Sequence, residues 1–276
     1  TVKFIRGKEQ IMEKNDFEAI ELGKGAVRVY DLGAARLHAY QTNDPLADEV
    51  FVVERGGRGF VIELPCFRDN IAELEAYVRG QDIAVEGIVA AYHMAGGSFM
   101  PGTPVYSTGE AEAYGHEGGG KALVDGFAAA FGEAFDASVA QVTNLVEGDE
   151  LELAGVCMRL VRNADAFDLE LPELGAAYLH MLGHDCHSIV AGPAHADAQI
   201  AQLQGLVEAG IDLILTSHYT PEDLKDARTK IAYLEELKRL AAASTTAEGF
   251  KAAVDARFPS YGGANYLDMT AGFFFA

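Results

Sequence analysis

Histidines cluster late in the chain, in a segment where several types of metal ligand stand close together. His180, His184 and His187 fall within eight residues, together with Asp185 and Cys186. Imidazole nitrogens, thiolates and carboxylates are the usual protein ligands of zinc and related divalent ions. The composition of this segment therefore predicts metal-site chemistry.

The pattern of apolar residues predicts strands followed by helices, twice along the chain. Runs that predict strands are 26–30, 36–40, 49–54, 59–64, 85–92 and 104–107 in the first half, and 151–161, 167–171, 176–182 and 211–217 in the second. Helical periodicity covers 69–80, 121–133, 197–209, a segment after a capping box at 220–223, and 247–257. This order favours two sheets packed face to face with helices outside.

The order of elements resembles the metallo-β-lactamase superfamily, in which a buried strand leads to an HxHxDH metal motif and a final His follows a last strand. His218, in a Ser-His pair after the run 211–217, resembles that final His. Glu63 takes the place of an Asp that hydrogen-bonds around the metal centre in the family. The resemblance implies one domain over residues 1–276, an α/β protein built as an αββα sandwich of two mixed sheets flanked by helices.

The metal motif itself departs from the family pattern. At the expected position the chain reads Tyr-His-Met-Ala-Gly-Gly over 92–97, where only His93 is a metal ligand. The family's third His falls near Asn163, and the position of its bridging Asp holds His180. Because a two-zinc hydrolase needs about six ligands, this sequence predicts at most one ion.

Residues that end strands on one edge of such a sandwich converge, and His93, His180 and His218 are the predicted ligands. Three imidazoles with an open position are typical of a catalytic zinc site; one zinc or iron ion is expected, or none if the histidines only hydrogen-bond to backbone. Secondary ligand candidates are His184, His187 and Cys186. Candidates for catalytic or orienting roles are Asp185, Tyr219 and Glu63.

Composition limits the partners. The net charge of −21 disfavours nucleic acid and anionic membrane surfaces, and favours a small neutral or cationic ligand. Three scattered cysteines imply no disulfide framework, so we expect a cytoplasmic protein. The sequence shows neither a signal-peptide pattern nor an apolar run long enough to span a bilayer.

Two function classes follow, and the sequence leaves both open. The first is a metal-dependent hydrolase with an altered, at most mononuclear site and an unknown substrate. The second is a non-catalytic, metal-free descendant of the fold that binds a small molecule or serves as a scaffold. The metal content of the purified protein would distinguish them.

Two further segments, an acidic strand and the aromatic C-terminal residues, lead to predictions about what their side chains contact. Asp165, Asp168 and Glu170 alternate around a strand and predict a solvated face. The aromatic residues Phe273, Phe274 and Phe275 would expose a large apolar area if left free. We expect them to pack on the sandwich or across the interface of a homodimer.

Overall fold

The computed structural model describes residues 14–180 and 183–275, which form two β-sheets flanked by helices. The first sheet has eight strands in chain order: β1 (Glu18–Glu21), β2 (Ala26–Asp31), β3 (Arg36–Gln41), β4 (Glu49–Arg55), β5 (Arg58–Ile62), β6 (Ala84–Val89), β7 (Val105–Ser107) and β8 (Asn144–Leu145). The second has six, in the order β14-β13-β12-β11-β10-β9: β9 (Glu150–Leu153), β10 (Val156–Arg162), β11 (Phe167–Leu171), β12 (Ala176–Leu179), β13 (Leu213–Thr216) and β14 (Tyr219–Glu222).

Both sheets mix antiparallel and parallel pairs. In the first sheet β1 to β5 pair antiparallel, and β5 to β8 pair parallel. In the second, only β12 and β13 pair parallel. Parallel neighbours need a crossover, which is usually helical. Here α1 (Arg68–Gly80) links β5 to β6, and α4 (Pro193–Ala209) links β12 to β13.

The remaining helices are α2 (Gly109–His116), α3 (Gly119–Phe131), α5 (Leu224–Ala243), α6 (Ala247–Arg257) and α7 (Ala264–Phe274). Side chains of both sheets form one core between them, where the rings of Phe51 and Tyr178 lie 5.9 Å apart. Helices α4 to α7 form a second core on the outer side of β12 and β13. The predicted αββα sandwich of two mixed sheets is thus confirmed. Among the described residues, no helix has the length and apolar character needed to cross a membrane.

Two predicted elements were wrong in detail. The run 151–161 is not one strand but the hairpin β9–β10, which turns at Ala154 and Gly155, both with positive φ. Apolar alternation continues through the turn, so periodicity alone missed it. Residues 220–223 are not a capping box but mostly strand β14, and the capping box of α5 is formed by Asp223 and Asp226.

Candidate metal centre

Three histidines lie at one rim of the sandwich, each shortly after the end of a strand. His180 directly follows β12, and His218 lies between β13 and β14. Because β12 and β13 are parallel neighbours, their carboxyl ends lie side by side. His93 comes four residues after β6 of the first sheet and approaches from across the core.

The three imidazoles lie close together. His93 Nε2 lies 3.3 Å from His180 Nε2, and one nitrogen of each histidine lies within 4.8 Å of the others. Two nitrogens bound to one tetrahedral zinc at about 2.0–2.1 Å would stand about 3.3–3.4 Å apart. The arrangement therefore fits a single ion held by His93, His180 and His218, which we call the three-histidine cluster.

His218 is oriented by a buried carboxylate that sequence reasoning missed. Its Nδ1 lies 3.0 Å from Asp48 Oδ1 and within hydrogen-bond distance, 3.3 Å, of the Leu46 carbonyl oxygen. A carboxylate beside one ring nitrogen fixes the tautomer and leaves Nε2 for an ion. Burial lowers the pKa of His218, but Asp48 outweighs it and the net pKa is raised. Asp48 stands in an irregular loop before β4, where no sequence pattern marked it.

His180 is held in place from behind. Its backbone N–H donates to Asp168 Oδ1 at 3.1 Å, and the ring of Tyr92 stacks on its imidazole with centroids 4.2 Å apart. His180 is exposed, and its side chain lines two cavities at this rim. Desolvation there, together with His93 and His218, holds the pKa of His180 well below its ordinary value. Neutral imidazole is the form that binds a metal ion.

The prediction of a solvated face was wrong at Asp168. This residue is buried, and its carboxylate accepts hydrogen bonds from the Tyr92 hydroxyl at 3.0 Å and from Gln202 Nε2 at 2.6 Å. Gln202 belongs to α4, which covers this part of β11. The alternation of charged residues along a strand could not show that a helix would pack over one of them.

Glu63 connects the loops that carry the histidines through hydrogen bonds. It is fully buried with φ of 66°, an uncommon conformation for a residue other than glycine. Its carboxylate accepts from the backbone N–H groups of Tyr92 and His93, both at 2.9 Å, and from the Tyr178 hydroxyl at 2.6 Å. The Tyr178 oxygen in turn lies 2.6 Å from the hydroxyl of Ser217, next to His218. Glu63 is thus a positioning residue, because both of its oxygens are occupied.

The other predicted candidates lie away from the three-histidine cluster. His184 Nδ1 lies 2.7 Å from Glu222 and its Nε2 lies 3.4 Å from Asp226. His187 is buried, with Nδ1 3.1 Å from the Tyr233 hydroxyl.

The segment 183–187 packs against α5, which explains this placement. Lys230 of α5 donates to the carbonyl oxygens of Gly183 and Cys186 at 3.0 and 2.9 Å. The thiol of Cys186 has a pKa raised by burial, and Asp185 accepts a hydrogen bond from Tyr219. His184, Asp185, Cys186, His187 and Tyr219 therefore do not join the cluster, although sequence proximity to His180 or His218 suggested it.

Two cavities border the three-histidine cluster and share part of their lining. One has a volume of about 530 Å³ and the other about 240 Å³. Both are lined by Tyr92, Tyr114, His180, His218 and Tyr266. A bound molecule could therefore extend to both sides of the histidines.

Comparisons with known proteins support the fold. No protein-family model matches the sequence, and no curated protein matches it either. Among solved structures, a metallo-β-lactamase from Erythrobacter litoralis matches with TM-score 0.56 and 15% identity, over 79% of this chain and 100% of that one. A metallo-β-lactamase family protein from Thermus thermophilus matches with TM-score 0.57 and 15% identity, over 87% and 91%.

A third solved structure extends the range of chemistry seen on this scaffold. It is a stereoselective inverting sec-alkylsulfatase from a Pseudomonas species, with TM-score 0.59 and 13% identity. The match covers 93% of this chain and 50% of the sulfatase. The chain described here has the metallo-β-lactamase fold, and at these identities the likeness concerns the fold alone.

Proposed function

We propose that this protein is a metal-dependent hydrolase with a single-ion centre at His93, His180 and His218. The observation that carries the proposal is the convergence of the three imidazoles, with 3.3 Å between Nε2 of His93 and Nε2 of His180. The two-zinc arrangement implied by the family motif is not expected, because 92–97 supplies only one histidine. Zinc or iron suits this donor set, since imidazole binds both.

The chain's own residues would hold the centre in place. A divalent ion with three nitrogen ligands and an open position supplies Lewis acidity and lowers the pKa of water. Asp48 orients His218, the Asp168 carboxylate fixes the backbone of His180, and Glu63 fixes the backbone of His93. Buried partners of this kind keep ligands in one geometry before the ion binds.

The metal-free alternative has one observation in its favour. At 3.3 Å, one Nε2 of His93 and His180 could donate a hydrogen bond to the other, with no ion between them. The site would then be a polar pocket of a binding or scaffolding protein. Metal content and activity must therefore be tested together.

The test uses protein purified without chelator and without a nickel column. Metal is removed, then restored as Zn²⁺ or Fe²⁺, and hydrolysis of neutral esters, amides and lactams is measured. We expect activity to vanish on removal and to return with one equivalent. His93→Ala should lose at least ~100-fold, since the ion is expected to supply several kcal/mol of transition-state stabilisation.

The matched control is His116→Ala. His116 Nε2 contacts the Ala140 carbonyl oxygen at 3.0 Å, outside the three-histidine cluster. This variant should keep the activity. Activity that survives both metal removal and His93→Ala would contradict the proposal, and bound metal without hydrolysis of any substrate would support the binding alternative.

A further inference from the structure

The smaller cavity beside the cluster has apolar walls. Its sides are formed by Leu46, Met94, Val124, Phe127 and Phe135, which come from the loop before β4, the loop after β6, and α3 with the segment that follows it. We call it the apolar cavity. Its volume is about 240 Å³. A cavity of about 150 Å³ can bind benzene, so this one admits a substituted ring or a chain of about six carbons.

The larger cavity of about 530 Å³ is richer in polar side chains. Amide and carboxyl groups of Asn163, Asp165, Gln199 and Gln202 line it, and we call it the polar cavity. The wall also contains apolar side chains such as Leu203 and Leu234, and its carboxylates disfavour a group that carries a negative charge.

No free ammonium or guanidinium group faces either cavity in the described part of the chain. Lys230 is the only lysine or arginine among the lining residues. It already donates to the carbonyl oxygens of Gly183 and Cys186, and burial lowers its pKa to about 8. With a net charge of −21 on the whole chain, an anionic ligand would find little compensation apart from a bound metal ion.

We infer that the substrate is a carboxylic ester or amide whose short apolar acyl or aryl group occupies the apolar cavity, with a neutral or cationic leaving group in the polar cavity. This inference rests on the proposed hydrolase function. In the reaction, water adds across the scissile bond: the acyl carbon gains hydroxyl, and the leaving oxygen or nitrogen gains the proton. His180 and His218 line both cavities, so the scissile bond of a substrate that occupies both would lie beside the three-histidine cluster.

The first experiment compares 4-nitrophenyl acetate with 4-nitrophenyl hexanoate on the metal-loaded enzyme. Each buried methylene is worth about 0.8 kcal/mol, or about 4-fold. We therefore expect kcat/KM to be at least ~10-fold higher for the hexanoate. Equal values for the two esters would overturn the assignment of the apolar cavity.

A matched pair of variants tests the location. Val124 is buried in the wall of the apolar cavity, whereas Ala122 is exposed on the same helix. Val124→Phe should lower the hexanoate kcat/KM at least ~10-fold and leave the acetate within ~3-fold, because the added ring fills the cavity. Ala122→Phe should change neither. If Val124→Phe does not fold, Phe127→Ala serves instead, and should raise octanoate relative to hexanoate.

The charge selection is tested with two further hexanoate esters, one with a trimethylammoniophenyl and one with a sulfophenyl leaving group. After correction for their alkaline hydrolysis rates, we expect the cationic ester to react at least ~10-fold faster. A preference for the sulfonate would overturn this part of the inference.

A binding experiment separates failure of this inference from failure of the hydrolase proposal. Calorimetry with hexanamide and acetamide needs no turnover. If no ester is hydrolysed but hexanamide binds to the wild type and not to Val124→Phe, the hydrolase proposal fails and the apolar cavity remains a ligand site. If esters are hydrolysed but neither chain length nor Val124→Phe matters, only the present inference fails.

Discussion

At the scale of single residues, the orientation of His218 depends on Asp48. The carboxylate is 3% exposed and stands 3.0 Å from His218 Nδ1. Burial acts to raise the pKa of Asp48, but His93 and His218 together hold it below its ordinary value. The charge is therefore kept at neutral pH and faces the ring that would bind an ion.

Replacement of this charge should weaken metal binding without loss of the fold. We expect Asp48→Asn to lower zinc affinity ~10- to 100-fold, as loss of a hydrogen-bond partner behind a ligand typically does. Competition against a chelator of known affinity measures the change. The control is Asp69→Asn, which removes the same charge from a side chain that is 71% exposed. Equal affinity in wild type and Asp48→Asn would contradict this role.

The histidines could be predicted from the sequence, and their supporting carboxylates mostly could not. His93, His180 and His218 each stand near the end of a short buried run, and strand ends of a sandwich share a rim. Asp48 and Asp168 meet the cluster only because the two sheets pack and α4 covers β11. For example, Glu49 N–H donates to the Ser217 carbonyl oxygen at 2.7 Å, which brings Asp48 beside His218. Such a contact between residues far apart in sequence has no local pattern.

At the scale of elements, Glu63 connects the ends of β5, β6, β12 and β13. It lies just after β5, and its carboxylate reaches the loop after β6 and the Tyr178 hydroxyl of β12. Tyr178 extends the connection to Ser217, just beyond β13. One buried side chain thus sets the relative position of the loops that carry the three histidines.

Glu63→Gln should therefore affect both stability and metal binding. An amide NH₂ group cannot accept the hydrogen bonds that a carboxylate oxygen takes, and bonds to charged groups are worth about 1.5–3 kcal/mol. We expect the free energy of unfolding to fall by about 3 kcal/mol, and zinc affinity to fall as well. Urea denaturation measures the first. Glu152→Gln, at an exposed position of β9, is the control and should change neither.

The contact between β3 and α1 contains a buried histidine, His38, that makes stability depend on pH. The Nδ1 of His38 lies 2.7 Å from the Tyr77 hydroxyl of α1, and burial lowers the pKa of His38 to about 4. The unfolded chain titrates near 6.5, so the folded state binds the proton less readily. The stability from neutral His38 is fully present above pH 6.5, and is lost as the pH falls towards and through 4.

The variant His38→Gln should lack this dependence. Over that window the shift corresponds to about 3 kcal/mol of unfolding free energy. We expect the wild type to lose this amount more than His38→Gln between pH 7 and pH 4, measured by urea denaturation at each pH. Parallel pH profiles of the two proteins would rule out His38 as the source.

Element types followed from periodicity more reliably than element boundaries did. Short apolar runs such as β4 and β13 are buried on both sides, so their pattern was continuous and clear. The split of β9 and β10 and the strand β14 depended on turn geometry and pairing partners. Helix α7 was not predicted, although Leu267, Ala271 and Phe274 have the i, i+4, i+7 spacing of one helical face.

At the scale of the whole molecule, the C-terminal aromatic residues close the outer core over the second sheet. The ring of Phe274 stacks on Phe250 of α6 with centroids 5.7 Å apart, and the ring of Phe275 packs against Phe250 at a tilt with centroids 5.6 Å apart. Phe273 is 51% exposed. The structure thus shows packing on the sandwich for two of the three rings, and the homodimer stays a prediction that depends on Phe273.

A pair of variants distinguishes these two roles. Phe274→Ala should lower the free energy of unfolding by about 2–3 kcal/mol, somewhat less than the cost at a fully buried site. Phe273→Ala should change it by no more than about 0.5 kcal/mol. Light scattering on both variants tests assembly. A wild-type dimer that Phe273→Ala converts to a monomer would show that the exposed ring lies in an interface.

The central claim is that three histidines from two sheets hold one ion. A second ion would have to use other groups, such as Asp44, Asp48 and Cys66, whose ligand atoms lie within 4.8 Å of one another. Burial, with Asp48 and Asp44 nearby, raises the pKa of the Cys66 thiol, so that in the absence of a cation this group offers no thiolate at neutral pH.

The most direct test is the zinc stoichiometry of the native protein and of His218→Ala, determined by elemental analysis after equilibrium dialysis against buffered zinc. We expect one equivalent per chain in the wild type and an affinity at least ~10-fold lower in His218→Ala, since loss of a ligand should cost at least as much as loss of a partner behind it. Two equivalents in the wild type, or no zinc in either protein, would contradict the account.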